Sequence, residues 1–176
     1  MVTISHGHPN HSYLEAVGKN AYVVDGPGEY EVRGITVSGL PSFHDTLGGA
    51  ERGRNTIYLI DIDDVRVCHL GDLGHRLEDA TVEAIGTVDV LLVPVGGGHS
   101  LGAGMAAEVV RAIEPRWVVP MHFQTPGLRS ELEGVETFLK EMGVTEAAPQ
   151  SKLVAQASAS GGEGETKVFL MEPKGQ

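Results

Sequence analysis

The six residues His6-Gly7-His8-Pro9-Asn10-His11 hold three of the chain's eight histidines. Neutral imidazole is a common ligand of zinc and related divalent ions, and Gly7 and Pro9 let the loop fold back so that the three rings converge. A metal held there would act as a Lewis acid and turn a bound water into a nucleophile near neutral pH. Three more residues could join the cluster. His44 follows a strand end in Ser42-Phe43-His44-Asp45. His122 ends the apolar run Val118-Val119-Pro120-Met121-His122, and Asp72 sits in the Gly71-Asp72-Leu73-Gly74 turn that follows Cys68-His69-Leu70. Taken singly, these are ordinary loop and turn residues. Their repetition at strand ends, where open α/β sheets gather their ligand sites, places them on one rim.

The remaining histidines carry less. His75, just past Asp72, could face a substrate and act as a general acid. His99 reads as a solvated loop residue, and His69 beside Cys68 reads as core or as a residue behind the site. The run Gly96-Gly97-Gly98 could offer backbone N–H groups to a phosphate, but the Lys of a phosphate-binding loop is missing. Asn10 stands where a helix cap is favoured, just before a short helix expected over Ser12 to Val17.

Those residues need elements to hold them. Short β-branched runs predict strands at Val2 to Ser5 and Ala21 to Val24. Glu29 to Val32 and Ile35 to Ser38 form an expected hairpin about Arg33-Gly34. Asn55 to Ile60 and Val65 to Leu70 form another about Asp61 to Asp64. From there helices and strands alternate: a helix over Leu77 to Ile85, a strand over Val88 to Val93, a helix over Ala103 to Ile113 and a strand over Arg116 to Pro120. A helix over Ser130 to Met142 follows, with Ser130 and Glu133 at capping-box spacing. Strands at Leu153 to Gln156 and Thr166 to Met171 flank a Gly/Ser-rich tip at Ser158 to Gly164. This order predicts an α/β fold with a mixed sheet in one domain spanning residues 1–176.

Composition narrows the function. Thirteen basic and twenty-four acidic residues give a net charge of -11, which disfavours nucleic acid, whose phosphates are bound chiefly by Lys and Arg. The longest apolar run, Val90 to Val95, is far short of the roughly 18 residues that span a membrane. A single cysteine, Cys68, excludes an internal disulfide framework and predicts a cytoplasmic protein.

Read together, His-x-His-x-Asn-His, a His at a strand end, Leu70-Gly71-Asp72 and Pro120-Met121-His122 resemble the metallo-β-lactamase fold. Three stretches narrow the likeness to uncharacterised Zn-dependent hydrolases near the ascorbate-phosphate lactonase-like branch: Arg52 to Tyr58, His69 to His75 and Val93 to Gly98. The resemblance runs from Val2 to Met142 and more loosely beyond. It implies an αββα sandwich that here lacks the usual first strands, because relatives carry several dozen residues before the first histidine motif. It implies one zinc position held by His6, His8 and His44, and a second held by His11, His122 and the residue at position 10, with Asp72 bridging them. It implies a hydrolase that cleaves an ester, lactone, amide or phosphoester of a small substrate. The family's aspartate at position 10 is Asn10 here, a neutral and weaker ligand that implies a weakened second metal site. The rival expectation is a catalytically weak metal-binding or structural subunit that assembles as a homo-oligomer through an exposed sheet edge.

Overall fold

A computed structural model describes residues 1–18, 20–129, 131–156 and 165–172 of the chain. Among these described residues the strands are β1 (Val2–Thr3), β2 (Val23–Val24), β3 (Gly28–Val32), β4 (Ile35–Phe43), β5 (Arg54–Ile62), β6 (Val65–His69), β7 (Val90–Pro94), β8 (Trp117–Met121) and β9 (Lys167–Val168). Three α-helices are interleaved with the later strands: α1 (Asp79–Ile85), α2 (Ala103–Ile113) and α3 (Val135–Glu141). Strands β3 to β9 form one seven-stranded sheet in chain order, while β1 and β2 pair in parallel as a separate small sheet.

The large sheet is mixed because its connections change. Two-residue turns join β3 to β4 and β5 to β6, and a loop over residues 44–53 returns β4 to β5, so these four strands are antiparallel. Helices α1 and α2 cross from β6 to β7 and from β7 to β8, which makes those pairs parallel, and β9 joins β8 in parallel. Alternation along each strand then sorts the faces. Ile57, Leu59, Cys68, Leu91, Val93 and Val118 face the helices and meet Ile85, Val110, Ile113, Phe138 and Leu139. Tyr58 and Val37 point the other way and close over Val24 of the small sheet. The expected α/β architecture is thus present as a helical layer, a large sheet and a small sheet stacked on the opposite face.

Helix α2 matches its predicted limits, since Ala103, Ala106, Ala107, Val110 and Ile113 form one buried stripe. It stops at Glu114, which is left-handed at φ 52° and is followed by Pro115.

Three expectations are corrected. The predicted helix over Ser130 to Met142 begins only at Val135, and Ser130 itself lies outside the described residues. The backbone before it is spent elsewhere: Glu133 N–H donates to the Gly96 carbonyl, and Gln124 N–H donates to the Glu133 carbonyl. The helix over Ser12 to Val17 is a single 3-10 turn at Leu14–Val17, led by Tyr13 with no side-chain cap, so Asn10 caps nothing. Leu153 to Gln156 is not a strand; Leu153 and Ala155 instead pack over Val90, Val119 and Phe169. The predicted tip at Ser158 to Gly164 lies outside the described residues.

Candidate metal centre

Because β4, β6, β7 and β8 end at the same border of the large sheet, the loops after them meet there. The residues after β1 join them through a bond from Thr56 N–H, at the start of β5, to the Ser5 carbonyl. Four imidazole Nε2 atoms thereby surround one oxygen, Asp72 Oδ2: His44 at 3.3 Å, His6 at 3.5 Å, His122 at 3.6 Å and His11 at 3.8 Å. The side chains of His6, His44 and Asp72 are buried, while His11 stays open to solvent.

Three rings are held from behind. His44 Nδ1 lies 2.8 Å from the His99 carbonyl, His6 Nδ1 lies 3.0 Å from Ser5 Oγ, and His122 Nδ1 lies 3.2 Å from Ser100 Oγ. A carbonyl only accepts, so His44 carries its proton on Nδ1 and turns an Nε2 lone pair toward Asp72. A lone pair facing a buried carboxylate oxygen needs a cation between or beside them. The proton is a poor candidate at His6. Burial pulls that imidazole from 6.5 down to about 4, with the neighbouring His44, His11 and His8 adding to the effect against the opposing pull of Asp72. Burial likewise lowers His11, again against Asp72. Among the described residues His6 Nε2 has no hydrogen-bond partner, and a buried, unpaired nitrogen aimed at a carboxylate fits a metal ligand. His6, His11 and Asp72 place one donor atom each within 4.8 Å of one another.

The frame of the site strains the backbone to aim its ligands. His122 is left-handed at φ 53°, an uncommon conformation outside glycine that clusters at functional positions. Its carbonyl accepts from Gly96 N–H, and a Cβ at Gly96 would meet the His122 oxygen at 2.4 Å, so only glycine permits this approach. Asp72 is aimed by Asn55, which is almost fully buried. Asn55 Oδ1 accepts the Asp72 N–H at 3.0 Å, while its Nδ2 donates to the Leu70 carbonyl and to Ser42 Oγ. His69 adds to the same turn, its Nδ1 accepting Gly71 N–H at 3.0 Å. Sequence alone gives Asn55 no role of its own, and its one signal is an amide beside the apolar run Ile57 to Ile60 of β5.

A cavity of about 600 Å³ opens over the cluster, lined by His8, Asn10, His11, Arg52, His122 and Glu131 among others. His8 stands at its rim with its ring 5.5 Å from that of His11, and Asn10 N–H donates to His8 Nδ1. His99 also lines this cavity, besides lending its carbonyl to His44. The structure brings together His6, His11, His44, Asp72 and His122, with His8 and Asn10 beside them. It does not bring His75, whose Nε2 accepts Phe43 N–H and whose Nδ1 pairs with the Arg76 carbonyl, so both ring nitrogens are taken up away from the cluster.

Residues 1–122 match the Beta-lactamase superfamily domain model. The crystal structure of a candidate Zn-dependent hydrolase of the metallo-β-lactamase superfamily from Thermotoga maritima is 36% identical. It superposes with a TM-score of 0.74 over 96% of this chain and 79% of that one. The chain therefore belongs to the metallo-β-lactamase superfamily. A UPF0173 metal-dependent hydrolase of Pyrococcus horikoshii is 33% identical over 115 residues, covering 64% of this chain and 48% of that protein. This chain thus spans about half the length of the curated relatives it matches. The metallo hydrolase Igni18 of Ignicoccus hospitalis, 21% identical with a TM-score of 0.57 over 80% of this chain and 70% of that one, shares the fold.

Proposed function

We propose that the chain is a zinc-dependent hydrolase that cleaves an ester, lactone or phosphoester of a small molecule in the cytoplasm. The observation that carries this reading is the convergence of four imidazole Nε2 atoms on one buried carboxylate oxygen, with His6 Nε2 orphaned. His6, His8 and His44 would hold one ion and His11 and His122, with Asn10 alongside, a second, while Asp72 would face both. When bound, such an ion lowers the pKa of a water toward neutrality and polarises the bond to be cleaved. The protein's own residues do the rest. Ser5, Ser100 and the His99 carbonyl fix ring orientation, Asn55 fixes the carboxylate, and the open cavity admits a substrate whose ester and one water become an acid and an alcohol.

The cytoplasmic setting rests on cysteine usage, a single Cys68 that is buried as a free thiol. A second reading, a metal-binding subunit with weak turnover, is favoured by Asn10 alone, because the residue lining the cavity at this position is a neutral amide where the family pattern has a carboxylate.

Protein purified without chelator should carry at least about one equivalent of zinc per chain and should hydrolyse a generic lactone or phosphodiester. His6→Ala combined with His44→Ala should lose both metal and turnover. Metal-free wild-type protein whose melting temperature does not rise with added zinc would overturn the metal site. Stoichiometric zinc without turnover on any ester class would leave the weak subunit as the function.

A further inference from the structure

Around the histidine cluster of this acidic chain the available cations are arginines. Arg52 lines both the main cavity and a neighbouring one of about 500 Å³ that contains His6, His8 and His44, and Arg54 lines the second. Away from the cluster Arg66 pairs with Asp61, Arg76 with Glu108, and Arg111 and Arg116 donate to the Glu141 and Gln156 carbonyls, while Arg33 and Arg129 line neither cavity. Among the described residues the guanidinium groups of Arg52 and Arg54 make no such bond. Glu51 and Glu131 also border the two cavities, yet neither forms an ion pair with them.

Arg52 is also anchored relative to the cluster. The Asp45 carboxylate follows His44 directly and accepts four backbone N–H bonds, from Leu47 and Gly49 at 2.8 Å, Glu51 at 3.1 Å and Arg52 itself at 2.8 Å. His44 N–H in turn bonds the Gly53 carbonyl. The loop is thus tied at both ends to the backbone of a cluster histidine, and the Arg52 side chain leaves from a fixed point beside the cavity. A guanidinium is a planar fork matched to carboxylate and phosphate oxygens, and a fixed origin lowers the ordering cost of using it.

We infer that Arg52, supported by Arg54, binds an oxyanion of the substrate, so that the molecule cleaved is a small ester or lactone that also carries a carboxylate or phosphate. This rests on the hydrolase reading above. The oxyanion is recognised away from the scissile bond, and no proton or bond changes at Arg52.

The test uses two esters that differ in one charge: mono(4-nitrophenyl) glutarate and the same ester with its free carboxylate methylated, both with zinc-loaded protein at low ionic strength. The anionic ester should show at least a ~10-fold higher kcat/KM, expressed mainly in KM, as expected for a charge-assisted pair near a cavity. Arg52→Gln should bring the ratio of the two esters close to one. Arg33→Gln, which removes an equal charge at the far end of β4, should leave the ratio as in the wild type. A second arm needs no turnover: inorganic phosphate is titrated into metal-free protein and followed through the arginine Nε–H resonances, with saturable binding expected in the wild type and lost in Arg52→Gln. Equal kcat/KM for the two esters in an active enzyme, or phosphate binding untouched by Arg52→Gln, overturns the inference and leaves the hydrolase standing. Phosphate binding that depends on Arg52, with no turnover of these or any other ester class, upholds the oxyanion site and removes the hydrolase reading.

Discussion

Asp72 Oδ2 lies within 3.8 Å of four imidazole nitrogens, and the chemistry of that arrangement turns on what sits between them. Without metal, a proton would have to serve between ring and carboxylate, and burial holds His6 at about 4 against an ordinary 6.5. The folded protein therefore binds fewer protons than the unfolded chain between those values, so stability is full above about pH 6.5 and falls as pH drops toward 4. In chelator, the melting temperature should decline over that window, and His6→Gln should flatten part of the slope. A flat profile in the wild type would show that His6 is not desolvated as described. Asn10 is the second decisive residue. It faces the cavity with no capping duty, so Asn10→Asp should add an anionic ligand at little cost to the fold. Zinc per chain should rise, and lactone or phosphodiester turnover should rise about 10-fold, if a carboxylate there helps to orient the water. Unchanged stoichiometry and unchanged turnover in an already active wild type would show that the carboxamide is not limiting. At this scale the sequence was most legible where residue type is chemistry. His6, His8 and His11 could be singled out because three imidazoles in six residues is an unusual density, and His44, Asp72 and His122 because each follows a strand end. His75 could not be separated from them, since only the fold reveals that Phe43 N–H and the Arg76 carbonyl occupy its ring.

The strand ends matter more than the strands. Asn55 opens β5, yet its amide reaches across to the end of β6 and clamps Leu70 and Asp72, so an element on one side of the sheet aims a ligand on the other. Asn55→Ala would leave the Leu70 carbonyl and Asp72 N–H buried and unpaired, with a cost of about 2–4 kcal/mol in urea denaturation. Zinc affinity should also fall, by roughly 10- to 100-fold, as it does when partners behind metal ligands are removed. Loss of stability with zinc affinity intact would reduce Asn55 to a packing residue. Gly71→Ala probes the same clamp from the other side. Gly71 is left-handed at φ 62°, and a Cβ there would lie 2.3 Å from Asn55 Oδ1 and 2.6 Å from Ser5 Cβ, so the turn must open and Asp72 must move. Helix α2 was legible because its apolar stripe is local and uninterrupted. The start of α3 was not, because Glu133 is committed to Gly96 by a long-range bond that no local pattern encodes. The strand over Leu153 to Gln156 failed for the same reason: its apolar residues pack on the face of the sheet instead of joining its edge.

At the scale of the whole molecule, the sheet borders are unequally protected. Edge strand β3 carries Glu29 and Glu31, charges that discourage pairing with another chain, and β9 is only two residues long. The small sheet is different. Around it Met1, Tyr13, Leu14, Val17 and Tyr22 are exposed, and Leu14, Val17, Ala21 and Val23 line an apolar hollow of about 330 Å³. The expected homo-oligomer has this surface to bury, which would withdraw the exposed aromatic and aliphatic side chains from water. Net charge sets the conditions under which this is seen. At -11 per chain, two copies repel, and added salt screens that repulsion while leaving apolar burial intact. Sedimentation should therefore show a dimer whose affinity rises between low and moderate ionic strength, the reverse of an association built on ion pairs. Leu14→Glu with Val17→Glu should give a monomer with an unchanged far-UV spectrum and unchanged zinc content, because neither residue touches the metal cluster. A wild-type protein that stays monomeric across the micromolar range at 0.5 M salt would exclude the association. A dimer unaffected by the double substitution would place the contact elsewhere on the molecule, with the edge of β3 the next surface to examine.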